Sequence, residues 1–204
     1  MCNKKIICIT GPDGSGKSTL IDQLMVHFPN SKKIGIWDAF ASKGNKLFEN
    51  KASIDDYLCK LSPIARTFFL THALQESMKN VEFEQNAFFF LDSYFYKYYC
   101  SELTLGAPLE IIQLVSKYFQ KPDLVISLNI DPSICAYRKA EYTRYECGLA
   151  KEPNEKTFVY FQNKCAPNWF FFHDKTWVNI DADNTSETIL KTTIKNINII
   201  CKSI

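Results

Sequence analysis

A chain of 204 residues is long enough for one α/β domain with a substantial core and too short for two comfortable ones. Its 46% hydrophobic and 23% charged residues are ordinary for a globular protein, and a formal net charge of +2 gives no field that would attract a nucleic-acid polymer. Without an 18-residue apolar run or a signal-peptide pattern at its start, the chain reads as cytoplasmic, with no membrane partner. Eight cysteines at 2, 8, 59, 100, 135, 147, 165 and 201 form no C-x-x-C pair, and the three histidines are scattered. Reduced thiols packing as small hydrophobes are expected, with no structural metal.

The first predicted element is a strand over residues 6–10. It breaks into Gly11-Pro12-Asp13-Gly14-Ser15-Gly16-Lys17-Ser18-Thr19, which fits the G-x-x-x-x-G-K-[ST] phosphate-loop pattern. Glycines let the backbone curl until successive N–H groups point at phosphate oxygens, and the dipole of the following helix adds to that field. Lys17 is expected to reach the β- and γ-phosphates of ATP, and the Ser18 hydroxyl to serve Mg²⁺. Asp13 is out of place in a loop built for polyanions. It is therefore assigned to a hydroxyl or a magnesium-bound water of a second substrate. Leu20, Ile21, Leu24, Met25 and Phe28 then recur at helical spacing until Pro29-Asn30 stops the run.

Farther on, strands are predicted over 33–37, 87–91, 124–130 and 177–180, and helices over 64–79 and 109–119. The strand over 87–91 delivers Asp92 to the sheet edge, where its carboxylate can act on Mg²⁺ or on an attacking group. Asp131-Pro132 reads as an N-cap with proline in the first turn of a helix running to Glu141. At the C-terminus Asn184 and Glu187 stand at capping-box spacing before a stripe of Leu190, Ile194 and Ile197. Strands lacking strict alternation, each followed by a helix, imply a parallel sheet of about five strands covered on both faces. Ligands of such sheets bind beyond the carboxyl ends of the strands.

GPDGSGKST resembles the G-x-D-G-x-G-K-[ST] loop of the thymidylate kinases, and the likeness extends over residues 5–183. It implies a three-layer αβα P-loop kinase fold with a short lid, here a single domain of residues 1–204 with a lid at about 138–155. In "FFFLDSYFYKYY", Asp92 and Tyr94 match the D-R-[YH] motif, whose tyrosine helps seat the acceptor. "ARTFFLTHALQ" resembles the acceptor helix: Phe68 falls on the base-stacking position and His72 on that of a phosphate-contacting arginine. Core packing explains Phe68 equally well, since Phe69 adjoins it. Arg66 on the same helix is a further candidate for the acceptor's phosphate. In the segment resembling the lid, Arg138, Arg144 and Glu146 match family positions, and the two arginines would stabilise the migrating phosphoryl group. Partners implied are small-molecule nucleotides, with a homodimer as the family's common state.

Three departures bear on the acceptor. "GIWDAF" follows the second strand in place of an R-E-P-G-G turn, Ser93 replaces the arginine of D-R-[YH], and His72 replaces the helix arginine. Two or three phosphate contacts are thereby lost. Lys97, one helical turn beyond Ser93, can return a charge to the same region. Transfer of the γ-phosphate of MgATP to dTMP is the function expected. A different nucleotide, nucleoside or small hydroxyl acceptor, or a non-catalytic nucleotide-binding protein, remain as alternatives.

Overall fold

The computed structural model describes residues 4–40, 48–83 and 86–202. Cys2 lies outside them. Five parallel strands form the sheet: β1 (Lys5–Thr10), β2 (Ser31–Ile34), β3 (Phe88–Asp92), β4 (Leu124–Asn129) and β5 (Trp177–Asp181), in the order β2-β3-β1-β4-β5. All six residues of β1 are buried, as a central strand covered on both faces requires. Pairing of Ile9 with Asp92 and of Thr10 with Ser127 aligns the carboxyl ends of three strands at one edge.

On one face lie α1 (Lys17–His27) and α8 (Ser186–Lys202), burying Leu20, Ile21, Leu24 and Ile197 against Ile7, Ile9 and Ile126. The other face carries α3 (Pro63–Phe83), α4 (Tyr94–Thr104) and α5 (Leu109–Ser116), whose Leu70, Leu74, Tyr99 and Ile112 meet Ile6, Cys8 and Phe89. Above the strand ends, α6 (Pro132–Tyr137), the 3₁₀ turn Tyr145–Cys147 and α7 (Glu155–Cys165) share a smaller cluster of Cys135, Ala136, Cys147 and Phe158. Cys8, Cys100, Cys135, Cys147 and Cys165 are free thiols and buried.

Several boundaries differ from expectation for identifiable reasons. The second strand stops at Ile34, because Gly35 donates its N–H to Asp38 and the chain coils into a 3₁₀ turn, Ile36–Phe40. The helix after Pro132 ends at Tyr137: Arg138 reaches back to the Ala182 carbonyl, and the chain leaves the helical path. Its start is as read, with the Asp131 carboxylate accepting from the Ser133 N–H. At α8 the cap is the Thr185 hydroxyl, which accepts from Thr188 N–H; Asn184 donates to Asp181 instead. The sequence reading contained neither α2 (Lys51–Lys60) nor α7, although Asn50/Ser53 and Asn154/Thr157 form capping boxes at their starts.

A buried polar network joins the lower helices to the segment above the strand ends. Arg66 of α3 is fully buried, with Nε 2.7 Å and 2.9 Å from the two Glu102 oxygens of α4. Its Nη1 donates to the Leu58 and Leu61 carbonyls, and its Nη2 has no partner among the described residues. The Tyr145 hydroxyl donates to the same Glu102 at 2.8 Å. Removing one member of such a pair strands a buried charge. Arg66→Met is therefore expected to cost about 3–5 kcal/mol in urea unfolding, whereas the double change Arg66→Met/Glu102→Leu recovers most of the loss. A double variant as unstable as the single one would show that the charges are not coupled.

Candidate active site

The phosphate loop is built by backbone geometry. Gly11, Gly14 and Gly16 have φ of 141°, 81° and 94°, and a Cβ on Gly14 would lie 2.6 Å from the Cys135 carbonyl oxygen. That contact shows how tightly the loop is pressed against α6. A Cβ on Gly16 would meet nothing within 4 Å, so there the loop borders open space. α1 starts directly after Gly16 with no side-chain cap, which leaves its first N–H groups free to receive an anion. The Ser15 hydroxyl is buried without a hydrogen-bond partner among the described residues. Thr19, in the first turn of α1, lines the space beside the loop.

Lys17 is buried and donates its Nζ to the carbonyls of Gly11 at 3.0 Å and Pro12 at 2.7 Å. Burial lowers its pKa from 10.5 to about 8, although Asp13 and Asp92 stand near it. The next residue, Ser18, has its Oγ 3.4 Å from Oδ2 of Asp92. A hydroxyl and a carboxylate side by side are hard oxygen donors suited to Mg²⁺, which keeps several of its waters. Asp92 also pairs with Lys33 of β2 at 3.3 Å and accepts from the Ser93 hydroxyl. Ser93 and Tyr94 both have positive φ, 69° and 50°, an unusual conformation for an aromatic residue. The bend it makes is held by the Ser93 N–H donating to Ile9 and the Thr10 hydroxyl donating to the Ser93 carbonyl.

Across the loop Asp13 meets Lys97 of α4 at 2.5 Å, both side chains largely buried. Burial alone would raise the Asp13 pKa, but Lys97 and then Lys17 overcome it and hold the carboxyl at about 2. Lys97 is raised correspondingly, burial again being outweighed by Asp13. These groups open onto a cleft of 740 Å³, roofed by Arg138, Lys139, Glu141, Thr143, Tyr145 and Glu146 and walled by Ile36, Trp37, Ile54, Leu58 and Tyr98. In the roof, Glu146 accepts from Lys139 at 3.0 Å and from the Thr143 N–H; burial, then Asp13, raises its pKa. Asp55 of α2 pins the roof by accepting from the N–H groups of Arg144 and Tyr145. A side pocket of 240 Å³ lies between the loop and the start of α8, with Leu20, Leu128, Ala182 and Ile189 in its wall.

Lys17, Ser18, Asp92, Asp13 and Lys97 are thus brought together. Arg138 borders both cavities while donating to the Ala182 carbonyl. Five other expected residues are not in the cleft. Arg66 is consumed by Glu102, and Tyr94 is buried with its hydroxyl donating to the Gln120 carbonyl. Phe68 and His72 do share a helix face, but Phe68 is 52% exposed and neither residue lines the cleft; Phe69 packs inward, stacked on Phe40. Arg144 turns its Nε to the Ala150 carbonyl and is likewise absent from the cleft wall. Sequence reasoning missed Lys33, Asp55, Lys139 and Trp37. A lysine near the end of a parallel strand was the visible signal for Lys33; the others depend on how distant segments meet.

Sheet order and loop together define the P-loop kinase fold. No family model matches the sequence. Curated relatives include probable thymidylate kinase 1 of Saccharolobus solfataricus, 29% identical over 138 residues covering 66% of this chain and 70% of the relative. A probable thymidylate kinase of Staphylothermus marinus is 30% identical over 102 residues, covering 49% of this chain and 47% of its own length. Among solved structures, thymidylate kinase from Candida albicans superposes with a TM-score of 0.73 at 20% identity, covering 98% of this chain and 94% of that one. Deoxyadenosine kinase from M. mycoides gives 0.67 at 14% identity, covering 95% and 99%. The thymidylate kinase likeness read from the sequence is thus matched by its relatives and by its fold. Among the described residues no helix is long and apolar enough to cross a membrane.

The depressed pKa of Lys17 has a kinetic consequence. As pH rises through about 8 its ammonium loses the proton in the free protein, so kcat/KM for ATP should fall there, while kcat, set in the complex, holds to higher pH. Between about 8 and 10.5 the unfolded chain binds the extra proton, so this group's contribution to stability increases with pH over that window. A flat kcat/KM profile from pH 7 to 10 would contradict the assignment. Separately, Gly14→Ala should lower stability by roughly 1–3 kcal/mol. Gly16→Ala should lose nucleotide affinity with a stability cost of only about 1 kcal/mol, both read from thermal melts with and without ATP.

Proposed function

We propose that this chain transfers the γ-phosphate of MgATP to a nucleoside monophosphate, with dTMP the acceptor that the likeness to thymidylate kinases favours. One observation carries the reading: a buried lysine at an uncapped helix terminus and an Asp13–Lys97 pair face the same cleft, with Asp92 beside them. ATP would lay its β- and γ-phosphates in the loop and its base toward the side pocket, whose apolar wall suits a purine. Ser18 and Asp92 would hold Mg²⁺, which when bound neutralises charge on the triphosphate. An oxygen of the acceptor's phosphate attacks the γ-phosphorus while the bond to the β-bridging oxygen breaks, and ADP leaves.

The protein's part is positioning and charge. Lys17 follows the transferring group, and Arg138 approaches from the roof. Arg144 would join only if the roof shifted to free it from Ala150. Asp13, ionised at all working pH values, suits an acceptor hydroxyl or a bound water, and Lys97 suits the acceptor's anion.

A second reading, an acceptor without phosphate, is favoured by the burial of Arg66 and by Ser93 at the motif's arginine position. An ADP-release assay with dTMP, dUMP, dAMP, thymidine and deoxyadenosine separates the two. Turnover is expected with monophosphates; turnover with nucleosides alone would transfer the assignment to the second reading. ATP binding without turnover of any acceptor would leave a nucleotide-binding protein. Lys17→Ala should reduce kcat/KM about 10²–10³-fold. Lys97→Met should raise KM for the acceptor roughly tenfold or more while leaving KM for ATP nearly unchanged, and an unchanged acceptor KM would remove Lys97 from this role.

A further inference from the structure

With Phe68 outside the cleft, the aromatic side chains in its wall are Trp37, Tyr98 and Tyr145. The chain leaves β2 at Gly35 and coils through Ile36–Phe40, and this turn places Trp37 in the cleft wall. Its indole is half-buried and packed on the core. The nearest aromatic rings, Phe40 and Tyr98, both have centroids 6.4 Å away, inclined at 31° and 80°. Neither lies in parallel contact, whereas Phe40 stacks on Phe69 at 2°. The indole is thus held in place without a stacked partner among these rings. Ile54 and Leu58 of α2 supply the other apolar wall.

Topology gives the cleft a direction. β2, β3 and β1 are neighbours in that order, so Trp37 follows the first, Asp92 ends the second and the phosphate loop follows the third. Two strand spacings, about 10 Å, separate the ends of this series. An acceptor whose reacting oxygen lies beside Asp92 and the Asp13–Lys97 pair can extend its remaining bulk along this row toward Trp37. Asp13, Lys17, Asp92 and Lys97 at one end, and Trp37, Ile54 and Leu58 at the other beside Lys51 and Asp55 of α2, match a molecule that is polar at one end and flat at the other.

We infer that Trp37 is the stacking platform for the acceptor's ring. The acceptor class is then a compound with a heteroaromatic base at one end and a phosphoryl-accepting oxygen at the other, and Phe68 takes no part. This rests on the kinase reading of the cleft, but the fluorescence arm of its test does not depend on turnover. The other two tryptophans, Trp169 and Trp177, lie 6.4 Å from each other and neither lines the cleft. Indole emission that responds to an acceptor should therefore come from Trp37.

The experiment titrates wild type, Trp37→Phe and Trp37→Ala with dTMP, dUMP, dAMP, thymidine and ribose 5-phosphate, following tryptophan emission, and measures KM for ATP and for the best acceptor. Expected are saturable quenching of the wild type by at least one base-bearing compound, none by ribose 5-phosphate, and loss of the quenching in Trp37→Phe. Trp37→Ala should raise the acceptor KM roughly 5- to 100-fold, with the ATP KM little changed, and Trp37→Phe should restore most of the loss. Quenching by none of the base-bearing compounds, quenching that survives in Trp37→Phe, or an unaltered acceptor KM in Trp37→Ala would each overturn the inference. Quenching through Trp37 without any phosphoryl transfer would uphold the platform and remove the kinase reading. Transfer that is indifferent to Trp37 would do the reverse.

Discussion

An ammonium group held almost wholly away from water, beside helix N–H groups that no side chain caps, is electrostatically costly unless anions stand close. Lys17 is in that position, and its environment offers partial compensation: two backbone carbonyls at hydrogen-bond distance, with Asp13 and Asp92 nearby. The compensation is incomplete, and burial still lowers its pKa to about 8. A site left short of negative charge in this way favours a polyanion over water. The close packing of Gly14 on α6, the alignment of β1 with β3 and the bend after Asp92 all serve to hold that arrangement rigid.

The second half of the cleft follows a different electrostatic logic. Asp13 and Lys97 satisfy each other at 2.5 Å, so neither presents a bare charge to an incoming molecule. Any anion approaching Lys97 must share it with Asp13, which makes a weaker clamp than several arginine forks would. The arginine available on α3 is withdrawn into the Glu102–Tyr145 network, where it ties α3 and α4 to the roof. One cation is thus committed to holding the roof, and the wall of the cleft nearby is made largely by Ile36, Trp37, Ile54 and Leu58.

The roof is anchored at three points of different character. Asp55 accepts two backbone N–H groups, Glu102 accepts the Tyr145 hydroxyl, and Arg138 donates to the loop after β5. Arg138 and Lys139 border the cleft in this arrangement, and Arg144 does not. The division shows that an arginine-rich segment delivers its charges selectively, according to which backbone groups fix it.

What the sequence determined by itself was whatever local geometry encodes. Glycines at fixed offsets between a strand and a helix specify the phosphate loop, because only a backbone able to take positive φ at Gly11, Gly14 and Gly16 can curl that way. Five apolar segments specify the parallel strands, and Asp131-Pro132 specifies the start of α6. The carboxylate of Asp92 was legible for the same reason, since a strand's end fixes its place at the sheet edge. Tertiary structure alone decided which side chains of a given helix face the cleft. On α3, Phe68, Phe69 and Arg66 are near neighbours in sequence, yet one is exposed, one is stacked in an aromatic cluster and one is buried against Glu102. Nothing local distinguishes them; what does is the position of the 3₁₀ turn, α2 and α4 against that helix, and these contacts form only when segments distant along the chain come together.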